Sequence, residues 1–382
     1  HFTDRRQRQM CIRDSLYVQN TDTNAPIITL RGIRTENVTE LGDPAVGIHV
    51  DGVYVARPQA ANALMFDLER TELTRGPQGT LYGRNSVVGT LNIVTAKPNF
   101  DIQGGSLNLV GGQLSEAGLR AHYNLPINEK LALRFAYMEQ SKDSFLDGFW
   151  DGSQLDWRRL PSNVRDQFEV ITSPDQRSYL SDYAWYLGCS TLPGNGCGQG
   201  NFSDPYNKIS ADPSEFYTAI EDSAWRISAT YVVDENSDLN IQFENYEDNG
   251  KGWTNVLSCE LMRTRTGITA KDGPANTCTD ILGSENRYQS FANTPGFNKM
   301  NIDSFRAIYK RQLNETTNLT VNYGYQELEQ SSQFEIDGGV NYQYGMAFNI
   351  NRLLTESNVL DAYITGANQE WAWVGGIFTS TE

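Results

Sequence analysis

The sequence has no long apolar run and few residues of the types that build enzyme or metal centres. No apolar stretch of about 18 residues or more occurs, which excludes a transmembrane helix. A membrane β-barrel remains open, because its strands carry only a weak alternating signal. The chain has only three histidines, and it contains no nucleophile elbow, HExxH motif or cysteine–histidine arrangement. We therefore predict that the chain is not an enzyme and holds no cofactor or metal of its own.

Positive charge is also scarce. Lys and Arg number 31 against 47 Asp and Glu, a net charge of −16. Because phosphate contacts need a basic surface, this balance argues against a nucleic-acid partner. Residues 76–83, GPQGTLYG, have the glycine density of a phosphate loop but lack its Gly-Lys-Ser/Thr ending. Nucleotide binding is therefore rejected as well.

The first fifteen residues differ from the rest of the chain. HFTDRRQRQMCIRDS is polar and basic, without hydrophobic periodicity or the apolar core of a signal peptide. Residues 10–15, MCIRDS, resemble the translation of a sequencing adapter. We interpret residues 1–15 as a disordered artefact of sequence assembly, with a natural disordered tail as the alternative. On this interpretation the true N-terminus and any signal peptide are missing.

Five cysteines are present, and four remain once Cys11 is set aside. They form two close pairs, Cys189 with Cys197 and Cys259 with Cys278, in polar segments rich in Gly, Pro and Asn. Neither pair has zinc-site spacing or a nearby histidine. We expect two local disulfides in an oxidising compartment, with free thiols as the alternative.

Residues 16–98 are predicted to form a small mixed α/β unit. Strands are indicated at 27–33 and 46–50, and Asp51-Gly52 is a strong tight-turn signal before a partner strand at 53–55. Residues 60–68 have the spacing of one or two helical turns. Strands at 69–73 and 91–95 complete the unit. Between them, Gly76, Gly79, Gly83 and Gly89 indicate positive φ or close backbone approach.

From residue 99 onward the pattern changes to long strands with one apolar and one polar face. Trp225, Ile227, Ala229 and Tyr231, for example, alternate with polar residues. Roughly nine such strands of about ten residues fit an antiparallel transmembrane barrel with its polar face inside. A soluble β-sandwich would alternate in the same way.

The connection lengths favour the barrel. Short turns are predicted at 125–130, 233–238, 312–317 and 365–370, and long loops near 142–223, 250–301 and 334–351. Short turns at one end and long loops at the other are typical of outer-membrane barrels. Compact soluble domains rarely contain such long loops. Both cysteine pairs fall in these long loops.

Three motifs together resemble the plug domain of TonB-dependent outer-membrane receptors of the siderophore-receptor type. They are Arg31-Gly32-Ile33, VDGVY at 50–54, and ELTRGPQGTLYGRNSVVGTLNIVTAKP at 72–98. WAWVGGIF at 371–378 is similar to a barrel strand of the same family. The resemblance implies a plug at 16–98, truncated at its N-terminus, and the first part of a barrel at 99–382. A family barrel has about twenty-two strands. The alternating pattern after residue 99 provides about nine of them, so we expect an incomplete barrel.

The resemblance implies a receptor in the bacterial outer membrane that imports a bulky, scarce nutrient, above all an iron–siderophore complex. Its expected partners are the TonB-ExbB-ExbD energy-coupling complex, outer-membrane lipid and the small-molecule ligand. Uptake of a glycan or a cobalamin-like compound is the alternative within this architecture. A passive porin or adhesin barrel is the alternative in another class.

The candidate site residues follow from the same resemblance. By analogy with the family, plug arginines such as Arg75 and Arg84 pair with barrel glutamates, for which Glu244 and Glu327 are inward-facing candidates. The plug signature and its barrel contacts are assigned to Arg31, Gly32, Asp51, Gly52, Glu72, Arg75, Gly76, Pro77, Gly79, Tyr82, Gly83, Arg84 and Gly89.

Overall fold

The structure is a computed structural model of the 382-residue chain. It describes residues 16–20, 26–35, 44–60, 65–77, 79, 83–151, 208–210, 212–253, 288–292, 296–335, 347–368 and 370–382.

The described residues are dominated by eighteen β-strands. The first six are β1 (Leu16–Asn20), β2 (Pro26–Leu30), β3 (Val46–Val50), β4 (Val53–Tyr54), β5 (Leu68–Arg75) and β6 (Gly89–Thr95). The others are β7 (Gly104–Gly111), β8 (Ala117–Asn128), β9 (Leu131–Lys142), β10 (Asp147–Asp151), β11 (Lys208–Ser210), β12 (Ile220–Asp234), β13 (Ser237–Asp248), β14 (Gln289–Ala292), β15 (Phe297–Asn314), β16 (Thr317–Glu335), β17 (Ala347–Ala367) and β18 (Ala372–Thr381).

Four strands form a mixed sheet, here called the N-terminal sheet, in the order β4-β3-β6-β5. Strands β3 and β6 are parallel, whereas β3–β4 and β5–β6 are antiparallel. Strands β3 and β6 are buried throughout, as expected for central strands rich in Val, Ile and Thr. The predicted mixed unit is therefore confirmed, and β1–β2 adds a separate hairpin.

Nine strands form the long sheet, an antiparallel meander in the order β18-β17-β16-β15-β13-β12-β9-β8-β7. Its inner face, defined as the face packed against the N-terminal sheet, carries polar residues such as Arg226, Ser228 and Gln242. Its outer face exposes apolar residues such as Trp225 and Ile227. Side chains alternate between the faces because the strand period is two. The predicted partial antiparallel sheet of nine strands, polar inside and apolar outside, is confirmed.

Four short turns at one end of the long sheet share one hydrogen-bonding arrangement. Each begins with an Asn or Asp whose Oδ1 accepts a hydrogen bond from the backbone N–H two residues later. The donor–acceptor distances are 2.8–3.0 Å. The pairs are Lys130 N–H to Asn128, Asn236 N–H to Asp234, Thr316 N–H to Asn314 and Glu370 N–H to Asn368. Asx side chains favour such turns because they replace a backbone acceptor. The predicted short turns are therefore located at one end of the sheet.

The opposite end carries the long connections, most of which lie outside the described residues. Described there are a three-stranded sheet in the order β11-β10-β14 and an apolar cluster of Leu146, Phe216, Tyr217 and Phe334, with Trp253 packed against it. The rings of Trp253 and Phe334 stack with their centroids 5.3 Å apart.

The cysteines of the two predicted disulfides all lie outside the described residues. They are Cys189, Cys197, Cys259 and Cys278. A bond between Cys189 and Cys197, and another between Cys259 and Cys278, stay predictions.

One predicted element is only partly testable. The spacing of residues 60–68 predicted helical turns. Gln59 and Ala60 are helical, residues 61–64 lie outside the described residues, and the chain is no longer helical before Leu68 begins β5. Asp67 has a φ of 49°, which no helix allows. In the described part of the chain, no helix is both long and apolar enough to cross a membrane. No group of three metal-ligating side chains is found there either.

Gly89 provides a test of the N-terminal sheet. A Cβ at this position would overlap the Thr74 carbonyl oxygen and the Leu30 side chain, whereas a Cβ on Gly79 would meet nothing within 4 Å. We expect Gly89→Ala to destabilise the sheet by about 1–3 kcal/mol through overpacking. Gly79→Ala, the matched control from the same glycine-rich stretch, should change stability by less than about 1 kcal/mol. The measurement is urea unfolding of the N-terminal sheet in the complete, detergent-solubilised protein. Equal effects of the two substitutions would contradict the assigned packing.

Candidate functional site: the contact between the N-terminal sheet and the long sheet

The Asp51-Gly52 turn organises the polar end of the N-terminal sheet. Both residues have positive φ, 53° and 87°, as a tight hairpin turn between β3 and β4 requires. The Asp51 carboxylate accepts hydrogen bonds from the Thr95 N–H at 3.0 Å and the Thr95 hydroxyl at 2.6 Å. The Gly52 N–H donates to Asn92 Oδ1 at 3.1 Å. The turn is thus tied to β6 at two positions, Asn92 and Thr95.

Glu72 extends this network across to β5. Its Oε2 accepts a hydrogen bond from Asn92 at 3.0 Å, and its Oε1 accepts one from Arg70 Nε at 2.7 Å. The hydrogen bond from Asn92, followed by that from Arg70, lowers the pKa of the Glu72 carboxyl below its ordinary 4.5. Both bonds stabilise the carboxylate, and partial burial opposes them only weakly.

Thr95 connects the N-terminal sheet to the inner face of the long sheet. Its hydroxyl accepts a hydrogen bond from Gln242 Nε2 at 3.0 Å. Arg306 then donates to Gln242 Oε1 from Nε at 3.2 Å and from Nη2 at 3.1 Å. The same Nη2 lies 2.9 Å from Glu244 Oε2. A continuous chain of polar contacts therefore runs from Asp51 to the inner face.

Glu244 joins two arginines of the inner face. Its Oε2 accepts hydrogen bonds from Arg306 and from Arg226 Nε. Side-chain exposure is 1% for both Arg226 and Glu244, so the charges are shielded from water. A buried ion pair of this kind contributes little net stability, but loss of one partner leaves a costly unpaired charge. The three side chains therefore hold one another in fixed positions.

Two arginines of the inner face bind Phe66 and Asp67, the two residues just before β5. Arg226 Nη1 donates to the Phe66 carbonyl at 3.0 Å and lies 3.4 Å from the Asp67 carbonyl, with its guanidinium 4.3 Å from the centre of the Phe66 ring. Arg134 donates to the Asp67 carboxylate from Nε at 2.8 Å and from Nη2 at 2.5 Å. This bidentate pair is a strong, geometrically specific contact.

A second contact lies at the other edge of the long sheet. Arg57 Nη2 lies 2.9 Å, and Arg84 Nη1 3.8 Å, from the Glu382 carboxylate that follows β18. The Phe378 ring of β18 packs edge-on to Tyr54, with the ring centroids 6.3 Å apart. It also covers Gly83, where a Cβ would lie 3.3 Å from the ring.

Apolar packing completes the contact. The buried core of the N-terminal sheet continues onto the inner face, and both belong to one cluster. From the N-terminal sheet and its hairpin come Ile28, Leu30, Val46, Ile48, Val50, Val55, Val88, Leu91 and Ile93, and from the inner face Ala136, Ala224, Tyr246, Met300, Ile302 and Leu328. Because apolar attraction is not directional, this cluster holds the two units together without fixing their register.

The structure separates the predicted site residues into two groups and a remainder. Asp51, Gly52 and Glu72 meet in the network around Asn92, and Gly83 and Arg84 meet the end of β18. The remainder are not brought into either group. Arg31 and Gly32 form a tight turn with positive φ, and the Gly76 N–H donates a hydrogen bond to the Val88 carbonyl. Arg75 lies opposite Gly89 in the β5–β6 register, Pro77 and Gly79 are exposed, and Tyr82 lies outside the described residues.

The predicted ion-pair partners differ from those observed. Glu244 is on the inner face as expected, but it bonds Arg226 and Arg306 of the long sheet. Glu327 was expected on the inner face, which is wrong: it lies on the outer face and accepts a hydrogen bond from the Tyr325 hydroxyl at 3.1 Å. None of the ion pairs among the described residues involves Arg75. Arg84 does approach a carboxylate of the long sheet, that of Glu382.

Sequence reasoning missed the residues that form the strongest charged contact. Arg134, Arg226 and Arg306 alternate with apolar residues along their strands, and this pattern is a usable signal, because arginines facing a packed interior need partners. No signal indicated Asp67, since it lies in a segment whose spacing predicted a helix. Its partner Arg134 is 67 residues away in the sequence.

The comparisons with known proteins bear first on the N-terminal unit. Residues 13–90 match the family described as the TonB-dependent Receptor Plug Domain. This part of the chain is therefore similar to a TonB-dependent receptor plug domain, and the N-terminal sheet with its β1–β2 hairpin is called the plug below. Two curated relatives match part of the chain: the Pesticin receptor of Yersinia pestis, 39% identical over 106 residues, and the Ferrioxamine B receptor of Salmonella typhimurium, 32% identical over 103 residues. These alignments cover 27% and 25% of this chain, and 15% and 14% of the relatives.

Solved receptors extend the likeness to nearly the whole chain. The ferric yersiniabactin uptake receptor FyuA from Yersinia pestis matches with a TM-score of 0.62 at 14% identity, over 96% of this chain and 44% of that receptor. The ferripyoverdine receptor of Pseudomonas aeruginosa matches with a TM-score of 0.56 at 13% identity, over 96% and 38%. The plug followed by antiparallel strands is thus the TonB-dependent receptor fold. The chain spans less than half the length of these receptors.

The depressed pKa of Glu72 leads to a pH prediction. A carboxyl whose folded pKa is below its unfolded value adds stability above the unfolded value and loses it as pH falls through the folded value. We expect the wild-type plug to lose stability from about pH 4.5 downward more steeply than Glu72→Gln. At pH 7 the substitution should cost less than about 1 kcal/mol, because the Glu72 side chain is 39% exposed.

The measurement is urea unfolding of the plug in the complete, detergent-solubilised protein between pH 3 and pH 7, each value being about half a unit from the next. Glu69→Gln is the matched control, since Glu69 also contacts Arg70 but is 51% exposed. Parallel stability curves for wild type and Glu72→Gln would contradict the assigned role of the Asn92 hydrogen bond.

Proposed function

We propose that this chain forms the plug and the first barrel strands of an outer-membrane receptor that imports an iron–siderophore complex, energised by TonB-ExbB-ExbD. The observation that carries the proposal is a TonB-dependent receptor plug packed against the polar inner face of a sheet whose outer face is apolar. A wide barrel is not selective without a closure, and the plug supplies one. In this proposal residues 16–98 form the plug and residues 99–382 the barrel part.

The outer face supports a location in lipid. It exposes a set of large apolar and aromatic side chains that a protein in water would not leave uncovered. They include Leu107, Leu109, Tyr123, Phe135, Tyr137, Trp225, Ile227, Tyr231, Phe243, Tyr323, Trp373 and Ile377. Both edges of the long sheet, β7 and β18, lack a neighbouring strand in the described structure. Since lipid does not tolerate unpaired strand edges, we propose that further strands close the barrel in the complete receptor.

The names of the relatives support the substrate class. Pesticin, ferrioxamine B, yersiniabactin and pyoverdine receptors are among the similar proteins. An iron chelate is therefore proposed as transported ligand, bound on the side of the long loops near 142–223, 250–301 and 334–351. Disulfides between Cys189 and Cys197 and between Cys259 and Cys278 would belong to these loops.

Iron uptake by the complete receptor tests this proposal. We expect deletion of the gene to reduce growth and radiolabelled iron uptake from siderophore-containing medium under iron limitation, and complementation to restore both. Uptake should stop when the proton gradient is collapsed or when TonB is absent, because the plug must be moved by an energised partner. Iron uptake that persists unchanged in the deletion strain, with loss of growth on a glycan or a cobalamin instead, would contradict the iron substrate.

A further inference from the structure

We propose that Asp67 is a charged contact through which the long sheet, here called the barrel wall, retains the plug, and that its loss lets the plug leave at a lower applied force. The inference rests on the proposed function, and it concerns one residue that the plug signature does not contain. It is carried by the contacts of Phe66 and Asp67 with Arg134 and Arg226.

The first step is the geometry of the grip. Arg134 and Arg226 belong to the neighbouring strands β9 and β12, in which Arg134 lies opposite Ser228 and Arg226 opposite Ala136. They therefore hold two consecutive residues of one plug segment from two adjacent strands. The side chains of Arg134 and Asp67 are 12% and 11% exposed, so water screens their attraction weakly.

The second step is the charge balance of the network. Among the described side chains of this network, the inner face contributes the three guanidinium groups of Arg134, Arg226 and Arg306 and the carboxylate of Glu244. His122 Nδ1 also lies 3.9 Å from Asp67 Oδ1. The plug supplies the second carboxylate through Asp67. Without it the wall keeps three positive charges against one negative charge in a poorly hydrated place. Separating Asp67 from Arg134 is therefore costly in free energy, because it leaves a shielded charge without its partner.

The third step is the attachment of Asp67 to the rest of the plug. Its carbonyl accepts a hydrogen bond from the Ala96 N–H at 3.0 Å, immediately after β6. Its φ of 49° is in the left-handed region, where Asp and Asn are tolerated better than most residues. Force on the plug sheet thus reaches the two arginines through a short, defined segment. Asp67→Asn keeps this backbone preference and removes the charge together with one of the two oxygen acceptors that Arg134 uses.

The contact between Asp67 and Arg134 differs in charge from the contact between Thr95 and Gln242. Gln242 and Thr95 join plug and wall through a neutral amide and a hydroxyl, which lose little when water replaces either partner. The Asp67–Arg134 pair is both charged and bidentate. Retention should therefore depend on Asp67 more than on Thr95.

The test measures plug release in the complete receptor. Purified receptor is inserted in planar lipid bilayers, and conductance is recorded as urea is raised until the plug no longer closes the barrel. We expect Asp67→Asn to lower the urea midpoint of opening by about 1 M relative to wild type, since loss of one partner of a shielded pair is expensive and m is a few kcal/mol per molar. Glu69→Gln, an exposed plug carboxylate that pairs with Arg70, is the matched control and should leave the midpoint unchanged.

A swapped pair separates retention from simple misfolding. Asp67→Arg alone should lower the midpoint, and Asp67→Arg combined with Arg134→Asp should restore part of the loss. Arg134→Gln and Asp67→Asn should not be additive when combined, because they remove the same contact. Equal midpoints for Asp67→Asn and Glu69→Gln, or additive effects of Asp67→Asn and Arg134→Gln, would overturn the inference.

The failure of the inference and that of the proposed function are distinguishable. Equal midpoints in a receptor that still imports iron overturn only the role of Asp67. A wild-type receptor that conducts without urea, and does not import iron, overturns the proposed function together with the inference.

Discussion

The structure depends on one constraint, that the polar inner face of the long sheet must find partners on the plug. A strand with one apolar face in lipid must place its polar side chains inside, where burial without hydrogen bonds is costly. Arg226, Gln242 and Arg306 meet this requirement by bonding to Glu244 and to groups of the plug. The plug therefore supplies hydrogen-bond partners for the inner face of the long sheet, although it forms a sheet of its own.

The contact divides into parts with different physical character. Apolar packing between the plug core and inner-face residues such as Met300 and Ile302 resists separation but specifies little orientation. The polar chain from Asp51 through Thr95 to Gln242, and the charged pair of Asp67 with Arg134, specify orientation. In the proposed receptor, a closure that must hold in one position and later move benefits from this division. Polar contacts can exchange with water during movement, whereas their geometry permits only one resting position.

Part of the fold and of the site could be predicted from local sequence. The alternation in β12 and β13 predicted two-faced strands, and the Asp51-Gly52 pair predicted a hairpin turn with positive φ. Contacts between distant residues could not be predicted in this way. Periodicity shows that Arg134 faces inward, but it does not show which of the plug's carboxylates lies opposite. The end of the helical segment predicted at 60–68 differs for a related reason, since tertiary contacts to Phe66 and Asp67 override local spacing there.

The sequence by itself determined the strand pattern, the Asx-initiated short turns and the plug signature from Glu72 to Pro98, because each depends on neighbouring residues alone. Only the tertiary structure decided that Glu244 bonds arginines of its own sheet, that Glu327 faces outward, and that Asp67 is the carboxylate gripped by the wall. These outcomes depend on how two sheets are positioned in space, and a difference of one residue in strand register would reverse them.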